Sequence, residues 1–380
     1  MKVVIAMDSF KGSLTTMQAG NAVREGIFAV VPNAEVVVLP MADGGEGTLE
    51  AILSGLEGEK ISVDVCGPSG RVVKADYGIL SLAGCAVIEV AQAVGISLLK
   101  QEEKNPLNTT SYGLGEIILD AFNRGVREFI IGLGGSATSD AGLGMLSALG
   151  FRFLDESGHP VGMYGRDVGN VFSIDTSGVK IDIKECRFKL ACDVRNPLNG
   201  ENGAVVVFGP QKGATPEIVK ELSRAIECFS EITAKTLNRD LSAQPGAGAA
   251  GGLGFALLAF LNAEMQLGID LVMEVVDLET HVSGADIVVT GEGKLDHQTT
   301  MGKTPCGVAK IAKKHDALTV AFSGCIEGDV SALNECGIDA YFSIIKTPQT
   351  MQEAMDIDHA KENLKASAEQ VFRLIRQCCG

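Results

Sequence analysis

The sequence lacks the patterns that mark membrane-spanning, secreted and zinc-binding proteins. No apolar stretch in its 380 residues approaches the roughly 20 residues that cross a bilayer, and Asp8 and Lys11 interrupt the N-terminus before a signal-peptide core could form. We therefore expect a cytoplasmic protein. None of the ten cysteines forms a Cys-x-x-Cys motif, so reduced, buried thiols are expected. The five histidines show no His-x-x-x-His or His-x-His spacing, which argues against a zinc site.

The sequence also lacks a cluster of basic residues. Its 32 Lys and Arg residues are outnumbered by 48 Asp and Glu residues, and the net charge of -16 repels nucleic acid and anionic membranes. We expect neither as a partner. An anionic ligand could still bind where lysines and backbone N–H groups compensate locally, or where a metal ion bridges the negative charges. Candidate sites are therefore segments in which lysines, glycines and carboxylates occur together.

Short aliphatic and β-branched runs alternate with helical stretches, a pattern typical of parallel strands covered by helices. Two strands are predicted near the N-terminus, at 2–7 and 34–41, and three near the C-terminus, at 285–291, 317–324 and 339–345. Together they make a five-stranded, doubly wound sheet that is interrupted by an insertion. The predicted fold class is α/β.

The residues between these two groups of strands are numerous enough to form a second domain, since single cores rarely grow beyond about 250 to 300 residues. We assign 1–65 and 270–380 to a discontinuous first domain, and 66–269 to an inserted α/β domain with Gly-rich loops. Four strands are predicted in the insertion, at 85–91, 128–135, 187–194 and 203–210. Ligands collect at domain interfaces and at strand carboxyl ends, so we expect the active site in the cleft between the domains.

A polar segment follows each N-terminal strand. Residues 8–13 (DSFKGS) stand at a helix start, where free N–H groups favour an anion; alternatively Ser13 or Thr15 caps the helix and Lys11 is solvated. After the second strand, the carboxylates of 43–48 (DGGEGT) could hold Mg²⁺ or a substrate hydroxyl, or the segment is a tight turn capped by Thr48. Because both segments are expected at the same edge of one sheet, function is favoured.

The insertion contains a Gly-rich loop at 132–142 (GLGGSATSDAG) between a strand and a helix. Such a loop can present N–H donors to a phosphate or a carboxylate, although tight packing would also select glycines. Ala137 stands where the dinucleotide fingerprint requires glycine, so that motif is absent. Further on, Asp193 and Lys212 could be an acid/base group and a phosphate ligand, or a surface pair. Function is favoured for Asp193, and Lys212 stays open.

The densest polar segment is 290–305 (TGEGKLDHQTTMGKTP), which combines acids, lysines, hydroxyls and glycines in one strand-to-helix connection. A simple turn needs far fewer functional groups. Its end resembles a P-loop, but His297 stands where that motif requires glycine, so a Walker A loop is excluded. We expect His297 to be a polar loop residue rather than a base.

Seven segments of the chain, in this order, resemble those of the bacterial glycerate kinases: DSFKGSLT, ADGGEGT, GLGGSATSDAGLGM, CDVRNPLNG, FGPQKGA, GAGAAGGLG and TGEGKLDHQTTMGKTP. The resemblance covers almost the whole chain. It implies phosphorylation of D-glycerate by ATP with Mg²⁺, usually at the 2-hydroxyl, and a flavodoxin-like domain that holds an inserted α/β domain. The family commonly has Asn and Gly where this sequence has Ser139 and Ala141.

The resemblance also implies roles for the polar residues, because phosphoryl transfer needs positioning, charge neutralisation and removal of a hydroxyl proton. Lysines would neutralise phosphate or substrate carboxylate, and Asp193 would orient or deprotonate the hydroxyl. Asp296 is a second candidate base and could instead be a metal ligand. The expected residues are Asp193, Asp296, Lys294 and Lys11 for catalysis; Asp8, Ser9, Gly134, Gly135, Ser136, Asn196, Lys212 and Lys303 for substrate or phosphate; and Asp43, Glu46 and Glu292 for metal.

Other functions fit parts of the sequence. The loops do not fix a three-carbon substrate, so a kinase for another small hydroxy acid, or one giving 3-phosphoglycerate, stays open. A non-catalytic metabolite-binding regulator would leave the acids and lysines idle, and a dehydrogenase fails on the fingerprint. The expected partners are D-glycerate and ATP, with homo-oligomerisation left open.

Overall fold

The computed structural model describes residues 1–45, 47–81 and 84–378. Its strands are β1 (Lys2–Met7), β2 (Glu35–Pro40), β3 (Gly58–Cys66), β4 (Val72–Leu80), β5 (Cys85–Glu89), β6 (Glu128–Gly132), β7 (Arg152–Leu154), β8 (Ser173–Asp175), β9 (Arg187–Ala191), β10 (Glu264–Gln266), β11 (Ile287–Leu295), β12 (Leu318–Ile326) and β13 (Ala340–Ser343). Its helices are α1 (Thr16–Phe28), α2 (Thr48–Gly55), α3 (Val90–Val94), α4 (Tyr112–Asn123), α5 (Leu143–Ala148), α6 (Ala204–Phe208), α7 (Pro216–Leu237), α8 (Ala249–Phe260), α9 (Gly268–Val275), α10 (Leu278–Val282), α11 (Thr304–Lys314), α12 (Ala332–Glu335), α13 (Met351–Met355) and α14 (Ile357–Cys378).

The chain divides into two compact units, of which unit 1 comprises Met1–Asp43, Glu50–Leu56 and Ile269–Gly380. Its sheet has five parallel strands in the order β13-β12-β11-β1-β2. Counted within unit 1 this is the order 5-4-3-1-2, which confirms the flavodoxin-like sheet expected from the sequence. The strand order reverses between β1 and β11, and in such sheets ligands bind at the carboxyl ends of the strands at this switch point.

The core of unit 1 forms because its central strands are apolar on both faces. Residues 3–7 of β1 are at most 1% exposed, as expected for a parallel strand covered by helices on both sides. Helices α1 and α14 share one core with this strand. Thr15, and not Ser13, caps α1: its hydroxyl accepts the Gln18 N–H, and the Gln18 side chain accepts the Thr15 N–H.

Unit 2 comprises Gly44–Leu49 and Glu57–Gly268. Its six-stranded sheet has the order β10-β9-β6-β5-β4-β3, parallel from β10 to β5, with β4 and β3 antiparallel at one edge. Strand β3 corrects the predicted boundary at residue 65, because it pairs along its whole length with β4 and so belongs to the sheet of unit 2. The hairpin of β3 and β4 is an element that the sequence analysis did not predict.

The strand predicted at 203–210 is wrong, since this segment contains helix α6. Gly203 precedes the first turn, and Ala204 and Val205 are buried whereas Val206 and Val207 are exposed. Three consecutive valines favour a strand by local propensity. Here two buried positions next to two exposed ones match one face of a helix, and packing against α7 and α8 overrides the local preference.

Two further expectations can be compared with the described residues. The nine cysteines in this part of the chain are all free, and four of them are buried. No helix in this part is both long and apolar enough to cross a membrane.

Candidate active site

The carboxyl end of β1 places Asp8 at the switch point of unit 1. Asp8 is 7% exposed, its backbone N–H donates to the Gly291 carbonyl of β11 at 2.9 Å, and its carboxylate accepts the Ser9 N–H at 2.6 Å and the Thr304 hydroxyl at 3.1 Å. Burial raises the pKa of Asp8, the Ser9 N–H partly offsets this, and the negative charge of Asp43 raises it further. A cation at this position would therefore be stabilised.

Lys11 supplies positive charge next to Asp8. Its ammonium lies 3.1 Å from Asp43, and its side chain is 78% exposed. Asp43 raises the pKa of Lys11, with smaller contributions from Asp8 and Glu292. Lys11 is thus charged and held among carboxylates, yet accessible to a ligand.

Glu292 extends from the far part of β11 into the same region. It is 9% exposed and accepts the Thr299 hydroxyl at 2.7 Å. Burial raises the pKa of Glu292 to about 7; Thr299 and Lys303 lower it, while Asp8 and Asp296 raise it. A carboxyl group that titrates near neutral pH can exchange a proton under physiological conditions.

Lys294 and Asp296 follow on the same strand and turn. The Lys294 ammonium lies 3.4 Å from Asp296 and also pairs with Glu327, and these partners raise the pKa of Lys294, Glu327 most. Burial, which would raise the pKa of Asp296, is outweighed by the Gln298 N–H, Lys303 and Lys294, so this pKa lies below its ordinary value. Asp296 is therefore ionised at neutral pH, and it caps the short turn His297–Met301.

Lys303 stands at the start of α11 and offers no side-chain acceptor to the helix. The first-turn N–H groups of this 11-residue helix therefore have no side-chain cap within the part that the structure describes. Pro305, the second residue of the helix, has no N–H, so the positive end of the helix dipole and the Lys303 ammonium are the features that favour an anion here.

These residues line one cavity of about 430 Å³. That volume is within the range of roughly 300 to 1,000 Å³ found for small-molecule sites. Of the residues expected from the sequence, eight line it: Asp8, Ser9, Lys11, Asp43, Glu292, Lys294, Asp296 and Lys303. All eight belong to unit 1.

The cavity does not contain a complete metal cage. Glu46, one of the expected metal ligands, lies outside the described residues, and among the described ones no three acidic, Cys or His side chains are grouped closely enough to hold a metal ion. Mg²⁺, however, usually keeps several waters and binds one or two carboxylates plus the phosphates of its substrate. The carboxylates of this cavity, two of which have pKa values raised partly by a neighbouring acid, fit that kind of shared site.

The second group of expected residues lies in unit 2, on the loop after β6. Gly135 has a φ of +69°, and its carbonyl accepts the Ile96 N–H at 2.8 Å. Lys212 holds the next residues from inside: its ammonium donates to the Ser136 hydroxyl at 2.9 Å and to the Thr138 carbonyl at 2.6 Å. Lys212 is 3% exposed, so it is neither a solvated residue nor part of a surface pair. Burial lowers its pKa to about 7, although Asp140 opposes this.

Asp140 is the fixed centre of the same loop, and the sequence analysis did not single it out. Its carboxylate is fully buried and accepts the N–H and hydroxyl of Ser111, both at 2.7 Å, and the N–H groups of Gly142 and Gly144, both at 3.2 Å. Burial raises the pKa of Asp140, and these four donors oppose the rise. Hydrogen-bond donors to a buried carboxylate make this loop rigid.

The Gly/Ala-rich start of α8 packs against this loop. Three successive residues, 250–252, have left-handed backbone conformations, and the Gly251 carbonyl accepts the Ala141 N–H at 3.1 Å. A Cβ on Gly251 would lie 1.9 Å from the Thr138 carbonyl oxygen, so only glycine fits there. Ala141 itself has a φ of +50°, a left-handed conformation that glycine adopts without strain.

Asp193 follows β9, the strand next to β6, so it leaves the sheet of unit 2 at the same edge as the Gly-rich loop. Its side chain is exposed and accepts the Gly268 N–H at 3.2 Å. Asn196 is part of the following turn: its amide donates to the Asn202 carbonyl, and its own carbonyl accepts the Gly248 N–H, both at 2.9 Å. An exposed carboxylate beside a loop of N–H donors suits a role in orienting or deprotonating a substrate.

Comparison with known proteins identifies the family. Residues 3–376 match the family described as "Glycerate kinase family". The chain belongs to this family. It is 46% identical over 353 residues to the protein named "Glycerate kinase" of Halalkalibacterium halodurans, covering 93% of each chain, and 42% identical over 372 residues to the "Glycerate 2-kinase" of Escherichia coli, covering 97% and 98%.

A solved structure of a related chain from Salmonella typhimurium LT2 supports the glycerate kinase fold. It is 41% identical, covers 99% of this chain and 98% of its own, and superposes with a TM-score of 0.91. The two-unit α/β architecture is therefore the fold of a glycerate kinase relative.

The raised pKa of Glu292 predicts a stability change with pH. Between its ordinary value of 4.5 and about 7, the unfolded chain loses this proton while the folded chain keeps it, so stability falls as pH rises through this window. Replacing Glu292 with Gln removes the effect, and at pH 8 should stabilise unit 1 relative to wild type by up to about 3 kcal/mol, with no such gain near pH 4. Urea unfolding at both pH values measures it.

Asp296→Asn is the matched control for this experiment. The pKa of Asp296 lies below its ordinary value, so the ionised form is favoured by folding, and the Asn variant should lose stability at pH 8. If the stability of the two variants changed with pH in the same way, Glu292 would not have the raised pKa described above.

The buried ammonium of Lys212 predicts that Lys212→Met loosens the Gly-rich loop. The Thr138 carbonyl and the Ser136 hydroxyl lose their hydrogen bonds to the amine, which is expected to speed amide exchange in residues 134–138. Hydrogen exchange measures this effect. Lys220→Met, an exposed lysine of α7, is the control and should leave the exchange of these residues unchanged. Unchanged exchange in the Lys212 variant would show that the ammonium does not hold the loop.

Proposed function

We propose that this protein transfers the γ-phosphoryl group of ATP to the 2-hydroxyl of D-glycerate, giving ADP and 2-phosphoglycerate. Membership of the glycerate kinase family over residues 3–376 is the main support. The name of the Escherichia coli relative, "Glycerate 2-kinase", supports the choice of the 2-hydroxyl. The cavity of unit 1 and the Gly-rich loop of unit 2 supply the groups that such a reaction needs.

In this proposal, the lysines of unit 1 neutralise the phosphates. Lys11, Lys294 and Lys303 line the cavity, and Lys303 directly precedes α11, whose dipole adds partial positive charge at this end. As the new oxygen–phosphorus bond forms, the bond from the γ-phosphorus to the bridging oxygen breaks, and negative charge moves onto ADP. Positive charge already present at that place stabilises the developing charge on ADP and so lowers the barrier.

Mg²⁺ is part of the same proposal. When bound, it would neutralise negative charge that develops on the phosphates during transfer. Asp8, Asp43 and Glu292 are the described residues that would hold it, Glu46 being a further expected ligand outside the described part. Without a cation, these carboxylates and a polyphosphate would repel each other because both are negative. The net charge of -16 on the whole chain adds to this repulsion.

Unit 2 would bind and activate glycerate. The N–H groups of the loop at Gly134 and Gly135 suit a carboxylate. The buried Lys212 holds that loop in one conformation through its hydrogen bonds to Ser136 and Thr138. Asp193 would accept the proton of the 2-hydroxyl as the oxygen attacks phosphorus. The expected cleft between the two domains stays a prediction and belongs to this proposal.

The reaction and its position can be tested in one experiment. Phosphorus NMR of the product made from D-glycerate and MgATP should show 2-phosphoglycerate and stoichiometric ADP. A 3-phosphoglycerate signal would show that the protein is a glycerate kinase but that it phosphorylates the 3-hydroxyl and not the 2-hydroxyl. Turnover with another small hydroxy acid and none with glycerate would overturn the substrate.

The role of Asp193 predicts a large loss of rate in Asp193→Asn. An amide cannot accept the hydroxyl proton, so kcat should fall about a hundredfold or more, with little change in the KM for ATP. Asp182→Asn is a matched control, since Asp182 is also an exposed aspartate of unit 2 that accepts one backbone N–H, that of Lys184. A near-normal kcat in Asp193→Asn, with Asp296→Asn strongly impaired, would transfer the role of base to Asp296.

A further inference from the structure

The cavity of unit 1 is lined by two chemically different groups of residues. One group consists of the lysines and carboxylates described above, called the lysine end below. The other group is apolar, consists of Phe10, Ile344, Met351 and Met355, and is called the apolar wall below. Glycerate carries only a carboxylate and two hydroxyls, so it has no group that would use such an apolar wall.

Three of the four residues of the apolar wall, Ile344, Met351 and Met355, lie in the chain after β13. Thr350 caps the short helix α13, where its hydroxyl accepts the Glu353 N–H and the Glu353 carboxylate accepts the Thr350 N–H. Within α13, Met351 and Met355 are four residues apart and lie on the same side of the helix. Both are cavity-lining residues that remain open to solvent, 75% and 38% exposed.

Met355 lies against the loop that follows β1. A Cβ on Gly12 would be 2.5 Å from the Met355 methyl carbon, and Gly12 has a φ of +79°. The absence of a side chain at Gly12 therefore lets Met355 approach the same loop that carries Lys11. The apolar wall and the lysine end are for this reason parts of one continuous cavity.

Solvent-exposed methionines beside a cavity fit an aromatic ligand. Thioethers are polarizable, adapt their shape and make favourable contacts with ring edges and faces. A nucleotide has the matching division, with a flat base at one end and phosphates at the other. The cavity-lining lysines fit the phosphates. The two exposed methionines fit the base, and Phe10, which is 4% exposed, adds only part of its surface.

We propose that the cavity of unit 1 is the nucleotide site, with the adenine base seated on Phe10, Ile344, Met351 and Met355 and the phosphates on the lysine end. This assignment rests on the proposed ATP-dependent function. It makes the segment from Ile344 to α14 a determinant of nucleotide affinity and leaves unit 2 to bind glycerate.

The test compares a nucleotide with its phosphate part alone. Isothermal titration of the full chain with ADP and with pyrophosphate, both with Mg²⁺, gives two dissociation constants for each variant. Met355→Ala and Met351→Ala remove base contacts, so each should weaken ADP binding about tenfold. Pyrophosphate binding and the KM for glycerate should not change. ADP affinity equal to that of wild type in both variants would overturn the proposal.

Two further variants guard against an effect on folding. Met355→Leu keeps the apolar volume and should retain ADP affinity within a few-fold. Leu374→Ala truncates another exposed apolar residue. Leu374 lies on α14, 14 residues after Ala360, which lines the cavity, so this variant should bind ADP as wild type does. If Met355→Leu were as weak as Met355→Ala, or if pyrophosphate binding fell in parallel with ADP binding, the base would not be seated there.

The outcome is separable from that of the proposed function. If both methionine variants phosphorylated glycerate with the wild-type KM for ATP, the proposed kinase function would stand and the proposed adenine site would be wrong. If the variants lost ADP affinity but the wild-type protein did not phosphorylate glycerate, the proposed nucleotide site would stand and the proposed substrate would be wrong.

Discussion

The parallel pairing of β1 with β11 is the constraint on which the site of unit 1 depends. These strands are almost 300 residues apart in the chain, yet their register sets Met7 opposite Gly291, so that Asp8 and Glu292 emerge side by side at the switch point. Burial at this edge raises the pKa of both acids. The lysines and the start of α11 then surround a region in which a bare negative charge is costly.

This charge arrangement explains how an acidic protein can bind an acidic substrate. Neither the lysines nor the carboxylates would suffice alone: the lysines are each paired or screened by an acid, and the acids repel a phosphate. In the proposed reaction, a divalent cation shared with the phosphates would resolve this conflict, because it would use the carboxylates as ligands. Such a site would be complete only with its substrate bound.

The residues of unit 1 were predictable because a simple rule applies to them. Side chains after parallel strands gather at one sheet edge, and Lys11, Glu292 and Lys303 do so. The inward direction of Lys212 and the helix of α6 were not predictable, since local sequence reports propensity and not the packing that overrides it. The methionines of α13 were missed for another reason: two methionines four residues apart are not a recognisable binding motif.

The two units hold their polar groups in opposite ways, and the difference suits their proposed ligands. In unit 2 the loop is fixed by the buried groups of Asp140 and Lys212, so its N–H donors are already in place for the glycerate that we propose binds there. In unit 1, Lys11 and Lys294 are accessible side chains on flexible stems that can follow a phosphate as its charge moves. A small substrate such as glycerate can be bound by a rigid loop. A polyphosphate, whose charge distribution changes during transfer, can be bound by lysine side chains that adjust to that change.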